Sequence, residues 1–457
     1  MKFFFAPYYF IARHAVGHDE AMKHVLIITF LLQIIGVHHE SRCNKRKRTP
    51  DTELPYHAKR RRVSWTALVR NLGPLEFHRH HRVSVALFNK IHDRILPHIA
   101  TKDKYARRSC CRGSVSAVDS RSRLSMLLKH LAGSKMQDIE RAHGVSRSTV
   151  IASIASVMDA IVKEFPIHDF PFEDPDELKR LADGFRRKSS GDLFDNVIGA
   201  FDEYLLHMSQ SCMTKRRGVT NPSKFYCRKQ FFAINCQVCC DAERRVTYVS
   251  MLSPGAVPDT LAFFKSNIHR AITLGKVSAQ HHFVADNAYP DSDSILTPYT
   301  RADLQYDVRG QMDNYNFYLS QMRINIECCF GMLVNRFPIL LDALSTTKLT
   351  TATKTFMVCC ILHNLCVDER LASEQMCTNS DTSMRYTQRS RQRYQDLVAD
   401  ADFEYVQRVD EAVADELSRL HALTAPTIVH DEGITRKERM VYKIAESGYR
   451  RPSRNRS

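Results

Sequence analysis

Residues 315–340 read YNFYLSQMRINIECCFGMLVNRFPIL. Leu319, Met322, Ile326, Phe330, Leu333 and Phe337 recur at spacings of three and four, which predicts one continuous helix with a single apolar face. Glu327 stands directly beside that face. A carboxylate so close to a core is costly unless it is paired, protonated or bound to a metal ion, so it calls for a partner. Arg323, one turn earlier, offers an ordinary i, i+4 ion pair. The rest of the chain has to decide between that pairing and a functional role.

Upstream of this helix, strand and helix signals alternate. NVIGAF (196–201) is a short apolar strand ending at Asp202, FFAINCQV a second, RRVTYVSM a third, and HHFVA a fourth ending at Asp286. Asp259–Ile272 suits a helix, as does Asp176–Phe185 after the proline-rich FPIHDFPFEDPDELKRLADGF. The pattern predicts an α/β domain, a mixed sheet flanked by helices, over about 180 residues. Groups at the carboxyl ends of strands line the crevice where such sheets bind ligands. Asp202, Asp286 and Glu327 then converge, and three mutually repelling carboxylates suit one or two hard divalent cations, Mg²⁺ or Mn²⁺. Two such ions about 3.5–4 Å apart can promote in-line displacement at a phosphodiester.

Residues 120–163 predict three further helices. Leu124, Leu127, Leu128 and Leu131 form the first, ended by Gly133; Ser134 with Gln137 opens the second as a capping box; Ser146 caps a third that carries Val150, Ile154, Val157 and Ile161. This is the anatomy of a helix-turn-helix, with Arg147, Ser148 and Thr149 at the start of the recognition helix, facing a major groove. A plain three-helix bundle is the bland alternative. The formal charge of +16 and pI near 9.3 favour a polyanionic partner, and DNA is the expected one.

The fourteen cysteines are not spaced as a secreted framework: Cys110-Cys111, Cys239-Cys240, Cys328-Cys329 and Cys359-Cys360 are adjacent pairs, most of them in apolar runs. Cys236 and Cys239 have C-x-x-C spacing, but on a strand that offset points the thiols to opposite faces, against a zinc knuckle. His363 in CCILHNLC reads as a hydrogen-bonded core histidine. The apolar run Val25–Ile35 is eleven residues, short of the about twenty a membrane span needs. The basic clusters KRKR (45–48) and KRRR (59–62) suit nuclear import or a DNA tether, and nucleus is the expected compartment. The organisation expected is a basic leader over 1–73, a helical region over 74–165 with the helix-turn-helix at about 121–163, the α/β domain over 190–370, and a polar, partly helical tail over 371–457.

NVIGAFD, RKQFFAINCQVCCDAERRVTYVSMLSPGAVPDTLAF, FVADNAYP, the 315–340 helix and CCILHNLCVDE resemble, in order, the blocks of PIF/Harbinger-type transposases and the nucleases domesticated from them. The resemblance covers roughly residues 75–370. It implies an RNase H-like catalytic domain and a metal-dependent DNA endonuclease of the D-D-E type. Asp202, Asp286 and Glu327 are its catalytic and metal-binding acids, and Asp259 is a further metal-ligand candidate at the acidic end of another block. A separate Myb-like DNA-binding accessory protein is the implied partner. The chain departs from the family at Glu203, where a glycine is usual, and at Gly255-Ala256-Val257-Pro258-Asp259, where Gly-Ser-x-His-Asp is usual. Losing groups that support metal ligands typically lowers affinity or rate about 10- to 100-fold. The alternative expectation is therefore a catalytically inactive, domesticated DNA-binding protein.

Overall fold

Strand β1 (Val197–His207) is the spine of the molecule. It pairs antiparallel with β2 (Ala233–Cys240), which pairs antiparallel with β3 (Val246–Pro254). On its other side β1 runs parallel to β4 (His282–Val284), and β4 parallel to β5 (Ile295–Leu296), giving the order β3-β2-β1-β4-β5. The computed structural model describes residues 63–70, 72–100, 118–214, 217, 219–345, 348–376 and 434–452, all in the unit formed by residues 60–457. The apolar run at 25–35, the basic clusters, Cys110-Cys111 and most of the stretch after 376 lie outside the described residues.

Both faces of the sheet are covered, which is why β2 is buried at every position and reads as a continuous apolar run rather than an alternation. Tyr204, Leu206, Cys236, Val238 and Cys240 point into one apolar cluster with helices α10 (Gln311–Arg336) and α11 (Leu349–Met376). Ile198, Phe201 and Cys239 point into a second, with α7 (Pro175–Lys188), α8 (Asp259–Phe264) and α9 (Asn267–Thr273). Cys236 and Cys239 therefore lie on opposite faces, as the strand period requires. The expected mixed sheet flanked by helices, of RNase H-like topology and preceded by a helical region, is the observed architecture.

Two local expectations are corrected. Beyond Asp202 the first strand does not end; it continues through His207, because the DEYLLH segment still pairs residue for residue with β2. The predicted Asp259–Ile272 helix is broken into α8 and α9, with Ser266 capping the second through the His269 N–H at 3.1 Å.

The helical region comprises α1 (Trp65–Arg70), α2 (Pro74–His81), α3 (Val85–Ile99), α4 (Ser120–Leu131), α5 (Met136–His143) and α6 (Arg147–Glu164). Ser146 caps α6, its hydroxyl accepting from the Thr149 N–H at 3.3 Å. Such a cap contributes about 1 kcal/mol. The capping box expected at Ser134 does not form: α5 starts one residue later than that reading needs, after Lys135, with no side-chain cap. Helices α5 and α6 meet at 98°. Leu124, Leu127, Ile139, Val150, Val157 and Ile161 fill the interior of this bundle, which packs on α11. A last helix, α12 (Arg436–Glu446), opens with a capping box of Thr435 and Glu438 and buries Met440, Val441 and Ile444, packing on α10. Among the described residues no single helix is long and apolar enough to cross a membrane.

Candidate active site

The geometry around Asp202 follows from the strand register. Ala200 pairs with Val284 across the parallel β1–β4 junction, so two residues further on Asp202 comes opposite Asp286. Neighbouring strands lie about 5 Å apart. Strand β4 ends at Val284, so beside the two acids that edge of β1 has no strand partner among the described residues; pairing on that side resumes only at His207, whose carbonyl accepts the Leu344 N–H at 2.9 Å. Asp286 is held there by its own loop: its Oδ1 accepts the Ala288 N–H at 2.9 Å, and its carbonyl accepts the Tyr289 N–H at 3.3 Å. Asp202 Oδ1 accepts the Glu203 N–H at 2.8 Å.

The electrostatics record how close the pair is. Burial, and then the Asp286 charge, push the Asp202 carboxyl up to about 8. Asp286 is raised as well, by burial and by Asp259. The cation that opposes both shifts is Arg323 on α10, whose charge lowers each of them. Arg323 Nη2 also donates to Glu327 Oε1 at 2.6 Å, one helical turn away, with both side chains partly buried. The structure thus brings Asp202 and Asp286 together directly, and joins Glu327 to them through the guanidinium of Arg323.

Asp259 and Glu203 form a different arrangement. Side chains alternate along β1, so Asp202 shares the α10 side of the sheet with its neighbour Val238, while Glu203, paired with Gln237, faces α8. There Glu203 Oε1 accepts from Arg228 Nη2 at 2.8 Å and Oε2 from Asn235 Nδ2 at 3.1 Å. Asp259 accepts from the same two residues, Asn235 Nδ2 at 3.0 Å and Arg228 Nη2 at 3.3 Å. Burial, and then the interaction with Glu203, push the Asp259 carboxyl up to about 8. The chain of bonds continues from Gln237 Nε2 to Asn235 Oδ1 at 2.7 Å and from the buried Tyr289 hydroxyl to Gln237 Oε1 at 2.6 Å. Thr260 Oγ1 donates to the Ala288 carbonyl, tying α8 to the loop that presents Asp286.

This network accounts for the first departure from the expected pattern. Glu203 sits in a continuous strand and is not among the residues with positive φ, so nothing here demands glycine. Its carboxylate is turned away from Asp202 and fully partnered. Gly255 retains its use: a Cβ there would stand 2.7 Å from the Ala233 carbonyl oxygen, and its N–H bonds that same carbonyl at 2.9 Å. The participation of Arg228, Asn235 and Gln237 goes beyond the sequence reading. The signal for two of them was present, since Asn235 and Gln237 are polar residues at a spacing of two in an otherwise apolar strand.

Other expected positions are as follows. Arg147 and Ser148 are exposed at the start of α6, whereas Thr149 is partly buried, with Oγ1 2.8 Å from Ser146 Oγ. His363 is fully buried; its Nδ1 accepts from Arg336 Nη1 at 2.9 Å and its Nε2 donates to the Arg244 carbonyl at 2.8 Å, a satisfied core histidine.

The donor set at Asp202, Asp286 and Glu327 is all carboxylate oxygen, the chemistry that hard divalent cations take, and the raised Asp202 and Asp286 carboxyls are short of positive charge. In chemistry the residues fit such an ion. No group of three or more His, Cys, Asp or Glu side chains among the described residues is spaced to hold one, and Glu327 is engaged by Arg323. Comparison with known proteins yields no match among curated proteins and none among solved structures. A protein-family model described as DDE superfamily endonuclease matches residues 211–364, a span that contains Asp259, Asp286 and Glu327 and begins beyond Asp202. Residues 211–364 thus carry a DDE superfamily endonuclease domain.

Proposed function

We propose that the protein is a metal-dependent DNA endonuclease of transposase descent, of the PIF/Harbinger type, acting in the nucleus. The observation that carries this reading is the meeting of Asp202 and Asp286 at the open end of the β1–β4 junction, both short of positive charge, beside the helix that bears Glu327. Asp202 and Asp286 would hold the divalent cations between them, with Glu327 completing the set once it leaves Arg323. Bound Mg²⁺ or Mn²⁺, two ions by analogy with the domain family, would supply the positive charge that favours attack on a phosphodiester and departure of the leaving oxygen. The chain's own contribution is placement. The Asp286 loop is fixed by its turn and by Thr260, and Asp202 is fixed by a strand whose other face is anchored through Glu203. Arg323, freed from Glu327, becomes a donor for a phosphate oxygen.

DNA is the substrate implied by the domain, and the helical region supports a separate grip on it. The 98° crossing of α5 and α6 lies within the range of a helix-turn-helix, and Arg147 and Ser148 stand exposed at the start of α6. A Myb-like accessory protein belongs to the same reading by analogy alone.

A second reading is favoured by one specific observation, the Arg323–Glu327 pair, which neutralises the third acid without any metal. A domesticated DNA-binding protein with a silent nuclease domain would look the same. Calorimetric titration of Mn²⁺ separates the two. A catalytic protein binds Mn²⁺, loses about tenfold or more in affinity as Glu327→Gln, and cleaves duplex DNA in Mg²⁺ unless Asp286 is changed to Ala. Absence of carboxylate-dependent Mn²⁺ binding would leave only the DNA-binding role, in which Arg147→Ala weakens DNA affinity and Asp286→Ala does not.

A further inference from the structure

The two most exposed large hydrophobic side chains among the described residues lie two positions apart. Val308 is 97 % exposed and Tyr306 is 79 % exposed, both in the segment that joins β5 to α10. Water contact on this scale is unusual for an aliphatic and an aromatic side chain on a well-formed turn, and this turn is well formed. Asp303 Oδ2 accepts the N–H and the hydroxyl of Thr300, each at 2.7 Å, ahead of a 3-10 turn over Asp303–Tyr306. Asp307 accepts the Gln311 N–H at 2.8 Å and the Asp313 N–H at 2.9 Å, fastening the segment to the first turn of α10. Tyr306 and Val308 are therefore held outward by a rigid support, at little entropic cost on binding.

The charges of this surface are sorted. Its acids are engaged locally: Asp303 and Asp307 with backbone N–H groups, and Asp313 with Arg451 Nη1 at 2.6 Å. Three of its arginines are turned outward. Arg301, Arg309 and Arg450 are exposed, and none forms an ion pair with another described residue. Arg309, Gln311, Asn314, Tyr449, Arg450 and Arg451 line a cleft of about 1130 Å³ beside the turn. An outward aromatic and an outward aliphatic framed by unpaired guanidiniums match a polyanion with flat, stackable faces.

We propose that the 300–310 turn is a DNA-contact element, in which Tyr306 and Val308 wedge against the base steps of a duplex while Arg301, Arg309 and Arg450 take the flanking phosphates. Sixteen residues of helix separate Gln311 from Glu327, which at 1.5 Å per residue is about 24 Å. That is shorter than one turn of B-form duplex, about 34 Å, so one DNA molecule can lie on both the turn and the Asp202–Asp286 crevice. The proposal rests on DNA being the ligand, as in the proposed function, but not on cleavage.

The test is fluorescence anisotropy of the full-length protein with a labelled 30-base-pair duplex, in EDTA so that catalysis plays no part. Tyr306→Ala combined with Val308→Ser is expected to weaken binding about five- to tenfold, Tyr306→Phe to retain it because the stacking face is kept, and Arg309→Ala to reduce the salt slope by about 1. All three positions are exposed, and unchanged thermal unfolding of the variants checks that the fold is intact. Unchanged affinity and salt slope would overturn the proposal. So would a wild-type dimer, seen by light scattering, that the double variant converts to monomer without loss of DNA affinity, since the turn would then be a self-association surface. Inactivity of the Mg²⁺ cleavage reaction, with turn-dependent binding intact, would count against the catalytic reading alone.

Discussion

Asp202 is a residue whose ionised form the fold does not favour. Its carboxyl is raised above the ordinary value of 3.8 to about 8 by burial and by Asp286. A carboxyl raised in the folded state holds its proton more tightly there than in the unfolded chain. The associated stability is full below about pH 3.8 and is lost as pH rises through about 8. In metal-free buffer, Asp202→Asn is therefore expected to be more stable than the wild type at pH 8.5, by on the order of 1 kcal/mol, and to keep only a smaller part of that advantage at pH 5. Thermal denaturation in EDTA at the two pH values measures this, and a difference that does not change with pH refutes the electrostatic account. The sequence already placed Asp286 just past a strand and Glu327 on the long helix, because strand runs and helical periodicity are local; it ended the first strand at Asp202, whereas β1 runs on to His207. What it could not resolve was the owner of each neighbouring charge. Arg323 appeared as an i, i+4 partner of Glu327, whereas its charge also acts on two acids far away in sequence. Glu203 appeared as a damaged turn, because the continuation of β1 depends on pairing with β2 and not on its own residues.

At the scale of elements, the junction of β1, β2 and β4 is the tightest point near the crevice. Gly199 lies where a Cβ would stand 2.4 Å from Cys239 Sγ on β2 and 3.1 Å from Phe283 on β4. The sulfur is the end of a short, fully buried side chain, so an added methyl must move a strand. Gly199→Ala is expected to destabilise the protein by about 1–3 kcal/mol. Adding Cys239→Ala, which removes the clashing atom, should return part of that loss. Urea unfolding of the two variants is the measurement, and a single variant as stable as wild type would show that the junction has slack. Strand order and the role of this glycine are both non-local, which is why NVIGAF reads only as a short apolar run. The helices were more legible. Ser146 caps α6 as its sequence suggests, because a cap needs only its own three following residues. Ser134 fails as a cap although its sequence context is as good, since Gly133, at φ 87°, and Lys135 set the entry of α5 instead.

For the whole molecule, the question is whether the helical region is a separable DNA-binding module or part of one folded body. The packing argues for one body. Side chains of α3, α4 and α6 belong to the same continuous apolar cluster as Tyr204, Phe330 and Phe356 of the sheet and its covering helices. At the seam Thr355 Oγ1 lies 3.8 Å from Met158 Sδ, and Lys354 pairs with Asp159. Removing the helical region would uncover the α11 surface on which it packs, an apolar patch of a kind that soluble monomers rarely expose. A chain truncated to begin at residue 190 is accordingly expected to aggregate, or to lose the cooperative thermal transition of the full-length protein, even though it keeps every strand and all three candidate acids. Differential scanning calorimetry of the two chains decides the matter. A soluble truncated protein with a sharp transition of its own would mean that the sheet is self-sufficient, and that DNA held by Arg147 and DNA held at the crevice are joined by no more than a tether. If the truncated chain fails, the 98° helix pair and the acid pair are fixed relative to one another by a shared core. The spacing between a recognised sequence and a cut bond would then be a property of the fold.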